Sequence, residues 1–364
     1  MPIKAWKTFF ASRDSNRLIH VHQMAIYEAY LMLKLSVHWL SAVFEEDEMP
    51  LILIAVYTMM SDYKEEVKTK LAELREVSLR AEAVTYLVNH RSDDPELPNL
   101  IMGTNGALQA LFQEVLAVYP YLDPPRIPSE LASRACQALA LLQKVASDRI
   151  GAVLFIRCDY IMFVLPFMYS LEGGTMEHLR TAALGVVGAL LTFESENEEV
   201  VQYLMRTPMI PLCLRMMAQD TSVITTLGTF VLQKILSTRP GLTHCCALPE
   251  RVANVVSTLN IVLHQVAMYP SPRLLRTVLR CYRSLTNNHR ALPAIRLLLP
   301  PSLKDGTFDD LIEENEAIEE EWRKLLEATA TCDLNSSGGT GMTDEEIEEE
   351  LAKEMVLTAL QGAF

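Results

Sequence analysis

An all-α fold of stacked helical repeats is what this sequence predicts, on three observations. First, one amphipathic pattern occurs four times, in RACQALALLQKVAS from Arg134, RTAALGVVGALLTF from Arg180, ITTLGTFVLQKILS from Ile224 and LLRTVLRCYRSLTN from Leu274. Its fifth, eighth, ninth and twelfth places are apolar or Gly every time: Ala138, Leu141, Leu142, Val145; Leu184, Val187, Gly188, Leu191; Gly228, Val231, Leu232, Ile235; Val278, Cys281, Tyr282, Leu285. Separations of three and four residues put each set on one helical face. Second, the four starts lie 46, 44 and 50 residues apart, which leaves room for two or three helices per unit and is the period of armadillo or HEAT arrays. A unit of that size cannot bury its face alone, so neighbours must stack into a solenoid. Third, strand signals are absent: Val and Ile fall inside helical periods, and no Asn-Gly hairpin separates alternating runs, since Asn105-Gly106 opens a helix.

Taken in order, residues 1–64 read as two or three apolar helices outside the repeat register. This N-terminal extension either caps the open end of the stack or receives a partner. Its first apolar stretch, Ile19 to Phe44, is interrupted by His20, His22, Glu28, Lys34 and His38, and the second, Met49 to Met60, is too short to span a bilayer. No membrane role is expected. Through the middle, Pro and Gly punctuate the helices at Pro120, Pro124-Pro125, Pro128, Gly173-Gly174, Pro208, Pro211, Pro240-Gly241, Pro249, Pro270, Pro272 and Pro300-Pro301. A helix around Trp322, Leu325 and Leu326 closes the array. Residues 329–364 then form an acidic linker and terminal helix.

The chain has 364 residues, half of them hydrophobic, and can bury a large core as one elongated domain. Its seven Cys show no paired spacing, so reduced cytosolic or nuclear thiols are expected. The net charge of -14 is unevenly placed: residues 99–304 hold 18 Lys and Arg against 13 Asp and Glu, whereas residues 305–364 hold 3 against 18. The array is therefore mildly basic and the tail strongly acidic.

No motif of a hydrolase, nucleotide-binding protein or metalloenzyme occurs, and catalysis is not expected, nor is a cofactor. His244-Cys245-Cys246 offers three soft metal ligands by type, but adjacent residues on one helix diverge and no fourth ligand is suitably spaced; thiols buried at a helix end are the reading. Asp333 to Asp344 imitates a calcium loop with Asp333, Asn335 and Ser337 at ligand places, yet it lacks the bidentate Glu, and a linker is the reading. The run EEIEEELAKEM from Glu345 either docks on the basic array or a partner, or stays a solvated helix. Arg134, Arg180, Arg276, Arg280, Arg283 and Arg290 lie on or beside the repeat helices. Facing one concave groove, they suit an acidic or helical peptide or a nucleic-acid backbone; as solvated surface arginines they do neither.

Six segments carry a resemblance: QALFQEVLAVYPYLDPP (109–125), RACQALALLQKVAS (134–147), LRTAALGVVGALLTF (179–193), MIPLCLRMM (209–217), TFVLQKIL (229–236) and PRLLRTVLRCYRSLTNNHRA (272–291), continued by LPPSLKDGTF (299–308). Together they resemble the armadillo subunit of the Ccr-Not deadenylase complex, the Rcd/Caf family named as required for cell differentiation. The resemblance extends over residues 65–328, making that span the armadillo-repeat domain.

It implies an armadillo-like right-handed superhelical solenoid of about six repeats. It also implies a non-enzymatic adaptor that binds the large Not scaffold and recruits RNA-binding or silencing proteins through short peptides for mRNA deadenylation, decay and translational repression. Carried over by position, a peptide groove falls on Arg134, His178, Arg180, Gly185 and Leu227, with His178 where the family has an aromatic. Tryptophan pockets fall on Pro249, Arg251 and Arg290, with Pro249 where a tyrosine is typical. The scaffold-docking Trp-His-x-Phe becomes Met102-Gly103-Thr104-Asn105, so that surface has diverged or is rebuilt by the N-terminal helices.

The leading expectation is thus a cytoplasmic interaction module, with the nucleus as a second location. A nucleic-acid-binding transcription cofactor, taking single strands in a basic concave groove, is the alternative. A nuclear-import carrier ranks last, because its groove uses Trp ladders and the repeat helices contain no Trp. The sequence leaves open whether two copies pair.

Overall fold

The computed structural model describes residues 64–91, 94–170, 173–192, 197–219 and 222–330, with no strand among them. The expectations placed on residues 1–63 and 331–364, namely the N-terminal helices, Cys332, the Asp333–Asp344 loop and the acidic terminal helix, lie outside the described residues. The chain divides into two compact units, 1–110 and 111–364.

In the first unit a helix over residues 64–73 (α1) is followed by α2 (Val77–Arg91) and α3 (Leu97–Gly103). The division falls inside α4 (Ala107–Leu116). Val67, Leu71, Leu74, Val84, Leu87, Leu97 and Ile101 are buried. Arg80, almost buried as well, donates from Nε to the Leu74 carbonyl at 2.6 Å, which satisfies an oxygen at the break between α1 and α2.

The second unit continues with α5 (Ser129–Ala146), α6 (Arg149–Arg157), α7 (Thr175–Leu190), α8 (Asn197–Leu204), α9 (Met209–Gln219) and α10 (Ser222–Leu236). It is completed by α11 (Arg239–Cys245), α12 (Pro249–Met268), α13 (Pro272–Thr286), α14 (Leu292–Leu298), α15 (Asp309–Glu313) and α16 (Glu316–Thr329). The four repeated segments lie on α5, α7, α10 and α13, and each packs on the next; α13 then packs on α16. A second tier runs beside them, with α9 against α10 and α12, and α12 against α13 and α14, while α11 contacts α8 and α10.

All sixteen places of the repeated pattern are buried. Burial of a Val, Leu or Ile side chain contributes about 1.5–3 kcal/mol, so this shared interior is the chief source of stability. Trp322 of α16 donates its indole N–H to the Leu303 carbonyl at 2.8 Å, and Leu325 beside it is fully buried. The helix foreseen around these residues is therefore the one that ends the described stack.

The punctuation also acts where the sequence places it. Pro249 and Pro272 occupy the first helical positions of α12 and α13, where the missing N–H costs nothing. Gly174, at φ 63°, precedes α7. Asp148 accepts the N–H groups of Ile150 and Gly151 at 3.0 and 3.2 Å, and Thr238 accepts that of Gly241 at 3.2 Å, capping α6 and α11. Gly151 and Gly241 each follow the twelfth pattern place by six residues. An added Cβ there would lie 1.9 Å from the Val145 carbonyl oxygen and 2.1 Å from that of Ile235. These two joints close only because no side chain is present.

Candidate interaction surface

The five residues carried to a peptide groove sit on α5, α7 and α10, three consecutive helices of the ladder. Gly185 and Leu227 are half-buried and His178 is exposed. A Cβ on Gly185 would meet Oε1 of Gln143 on α5 at 2.6 Å, but that atom ends an exposed, flexible side chain that can turn aside. Arg134 is not a free cation: its Nη2 lies 2.6 Å from Glu114, whose side chain is 5% exposed.

Arg180 requires a correction. It is 1% exposed and its Nη1 donates to the Ser170 carbonyl at 2.8 Å. Arg215 of α9 donates beside it to the carbonyls of Met168 and Tyr169, at 3.0 and 2.6 Å. The two guanidinium groups thus hold three successive carbonyls at the end of the 3-10 segment Leu165–Met168. A desolvated charge is tolerated only with such partners. Arg180 braces the wall of the surface instead of lining it.

The other proposed arginines divide in the same way. Glu321 of α16 lies between Arg280 and Arg283, with Oε1 3.5 Å from Arg280 Nε and Oε2 2.9 Å from Arg283 Nε. Arg276 and Arg290 are exposed, and no carboxylate pairs with either among the described residues. Four of the six arginines are therefore spent on internal partners, which leaves little of the basic groove that a phosphate backbone needs.

Arg251 of α12 is exposed and donates from Nη1 to the His244 carbonyl at 3.0 Å. It stands at a cleft of about 330 Å³ lined also by Met205, Pro208, Ile210, Leu214, His244 and Cys245. Burial, with the Arg251 charge adding to it, holds the His244 imidazole below its usual range. Burial and the neighbouring Cys246 push the Cys245 thiol up to about 12 against the pull of Arg251. The His244 imidazole, an apolar floor and one guanidinium favour a flat aromatic group: apolar surface holds its body and the cation its face. Pro249 opens the same helix without lining the cleft; Arg290 lies in the turn after α13 and does not line it either.

Sequence reasoning missed Met205, Pro208 and His244 as lining residues. Met205 and Pro208 lie in the turn after α8 and His244 on α11, two stretches that the packing of α11 on α8 brings together. In the first unit, Met102 is half-buried at the end of α3, and Gly103 and Asn105 are exposed. Cys245 and Cys246 are buried thiols where α11 ends, and no cluster of metal-ligating side chains occurs among the described residues. None of the described helices is long and apolar enough to cross a membrane.

Residues 70–329 match the model of the cell differentiation family, Rcd1-like. Among curated proteins, the cell differentiation protein rcd1 of Schizosaccharomyces pombe is 36% identical over 237 residues, which are 65% of this chain and 83% of that protein. Protein CAF40 of Saccharomyces cerevisiae is 34% identical over 238 residues, 65% of this chain and 63% of its own length. Among solved structures, a designed armadillo repeat protein superposes with a TM-score of 0.51 at 12% identity, covering 72% of this chain and 100% of its own. Another, in complex with the peptide (KR)4, gives 0.51 at 13% identity over 73% of this chain and 100% of its own. At that identity the likeness is one of fold, an all-α armadillo-like solenoid.

Proposed function

This chain belongs to the cell differentiation family, Rcd1-like, and from that premise we propose that it is an adaptor subunit of the Ccr-Not deadenylase complex with no catalysis of its own. The observation that carries the proposal is the family match over residues 70–329, which falls on the repeat helices and not on an accessory segment. In this reading residues 65–328 act as the armadillo domain, binding the large Not scaffold and, elsewhere on the surface, short peptides from RNA-binding or silencing proteins. Its work is positional: partners held on one protein bring a messenger RNA to the deadenylase.

The cleft at Arg251 supports a site for an aromatic side chain of such a peptide, since His244, Arg251 and an apolar floor converge there. The exposed His178 and the half-buried Leu227, on adjoining helices α7 and α10, support a groove for an amphipathic helix. Cytoplasmic action in mRNA decay follows from the same reading. Affinity purification of the full-length protein from its native cells tests it. The Not scaffold and deadenylase subunits are the expected companions, and a preparation without them at high recovery of the bait overturns the proposal.

A further inference from the structure

A row of arginines runs along α13. Arg273, Arg276, Arg280 and Arg283 recur at steps of three, four and three, on the side away from Leu275, Val278, Leu279 and Tyr282, which are fully buried. The second half of the row is already answered by an acid: Glu321, its side chain 11% exposed, sits against Arg280 and Arg283. The first half is open. Arg273 and Arg276 are exposed, and no carboxylate meets them among the described residues.

We propose that the acidic segment 345–354 of this same chain docks on Arg273 and Arg276, extending along α13 the contact that Glu321 begins. Three facts select this occupant. The segment contains Glu345, Glu346, Glu348, Glu349, Glu350 and Glu354 against the single Lys353. It follows α16, the helix that already supplies the paired carboxylate, after residues 331–344. Those residues reach up to about 46 Å when extended, twice the roughly 22 Å length of α13, so either end of the row is accessible. One exposed arginine–carboxylate pair is weak by itself, but a tether of this length presents the acids at millimolar effective concentration. The docked tail then competes with any acidic ligand for this face, and salt releases it.

Hydrogen exchange of the full-length protein, followed by mass spectrometry, tests the proposal. At low salt, amides of 345–354 are expected to exchange about fivefold more slowly than the free-chain rate, and 0.5 M NaCl should abolish the difference. The double variant Arg273→Glu/Arg276→Glu should abolish it too. Both side chains are exposed, and an unchanged melting temperature verifies that the fold is intact. As a second variant, Glu348→Gln/Glu349→Gln/Glu350→Gln leaves the described fold untouched and should have the same effect. Free-chain exchange in the parent at low salt overturns the proposal. So does slowing that survives the arginine reversal, which assigns the tail to another surface, or slowing that grows with protein concentration, which assigns it to a second copy.

Discussion

Replacing Gly151 or Gly241 by Ala tests the joints between repeats most directly. The new methyl would stand 1.9 Å from the Val145 carbonyl oxygen and 2.8 Å from its carbon, or 2.1 and 2.8 Å from those of Ile235. Ordinary contact begins at 3.4 Å, so each joint must open by more than about 1 Å in a close-packed interior. The obstruction is backbone at a helix end, which no rotamer change relieves. Overpacking of this kind costs about 1–3 kcal/mol, here at the upper end, and Ala regains about 1 kcal/mol as the better helix former. The net loss is about 2 kcal/mol, or roughly 4–8 °C in melting temperature for a domain of this size. Opening the joint also stretches the caps, because Asp148 and Thr238 accept the N–H groups of these same glycines. Gly103→Ala is the control: nothing lies within 4 Å of its added methyl. Thermal melts by circular dichroism should separate the two joint variants from parent and control. Joint variants that melt with or above the parent refute the reasoning.

Three further outcomes are expected. Glu321→Gln loosens α16 by about 1 kcal/mol, since both arginine partners are more than a third exposed and solvent screens much of the attraction; urea unfolding should show the deficit at low salt and a smaller one at 1 M NaCl. Arg251→Ala should weaken capture of a tryptophan-bearing partner peptide about tenfold by removing the cation at the cleft, with no change in melting temperature; equal affinity by calorimetry would dismiss the cleft as the aromatic site. Cys213 and Cys245 have thiols pushed to about 12 by burial, so at pH 8 a thiol reagent should label the exposed Cys158 and spare both until denaturant is added. Because these thiols stay neutral in the fold yet ionise near pH 9 in the unfolded chain, their contribution is whole below pH 9 and is lost as pH rises towards 12.

Helix faces proved legible from the sequence because burial on a helix is periodic: every place of the fourfold pattern, from Ala138 to Leu285, is buried. Charged side chains were less so. The letters around Arg180 do not reveal that Ser170 turns a carbonyl towards it, and nothing near Arg283 announces a glutamate 38 positions later. Those pairings depend on how helices stack, which local periodicity does not encode. The joint glycines had a readable signal, a Ser, a capping Asp or Thr and then Arg ahead of Gly, in SDRIG and STRPG. Only two of the four repeats carry it; the register-equivalent residue after Leu285 is the buried Ala291.

Each inner helix from α5 to α16 leans chiefly on the one before and the one after. Such a succession behaves as a spring, in which a small error of pitch at one coil adds to the next. A rod-like visitor laid across several coils fixes that pitch for all of them at once. Its grip is then governed as much by how far the spring must be wound or relaxed as by the side chains it touches.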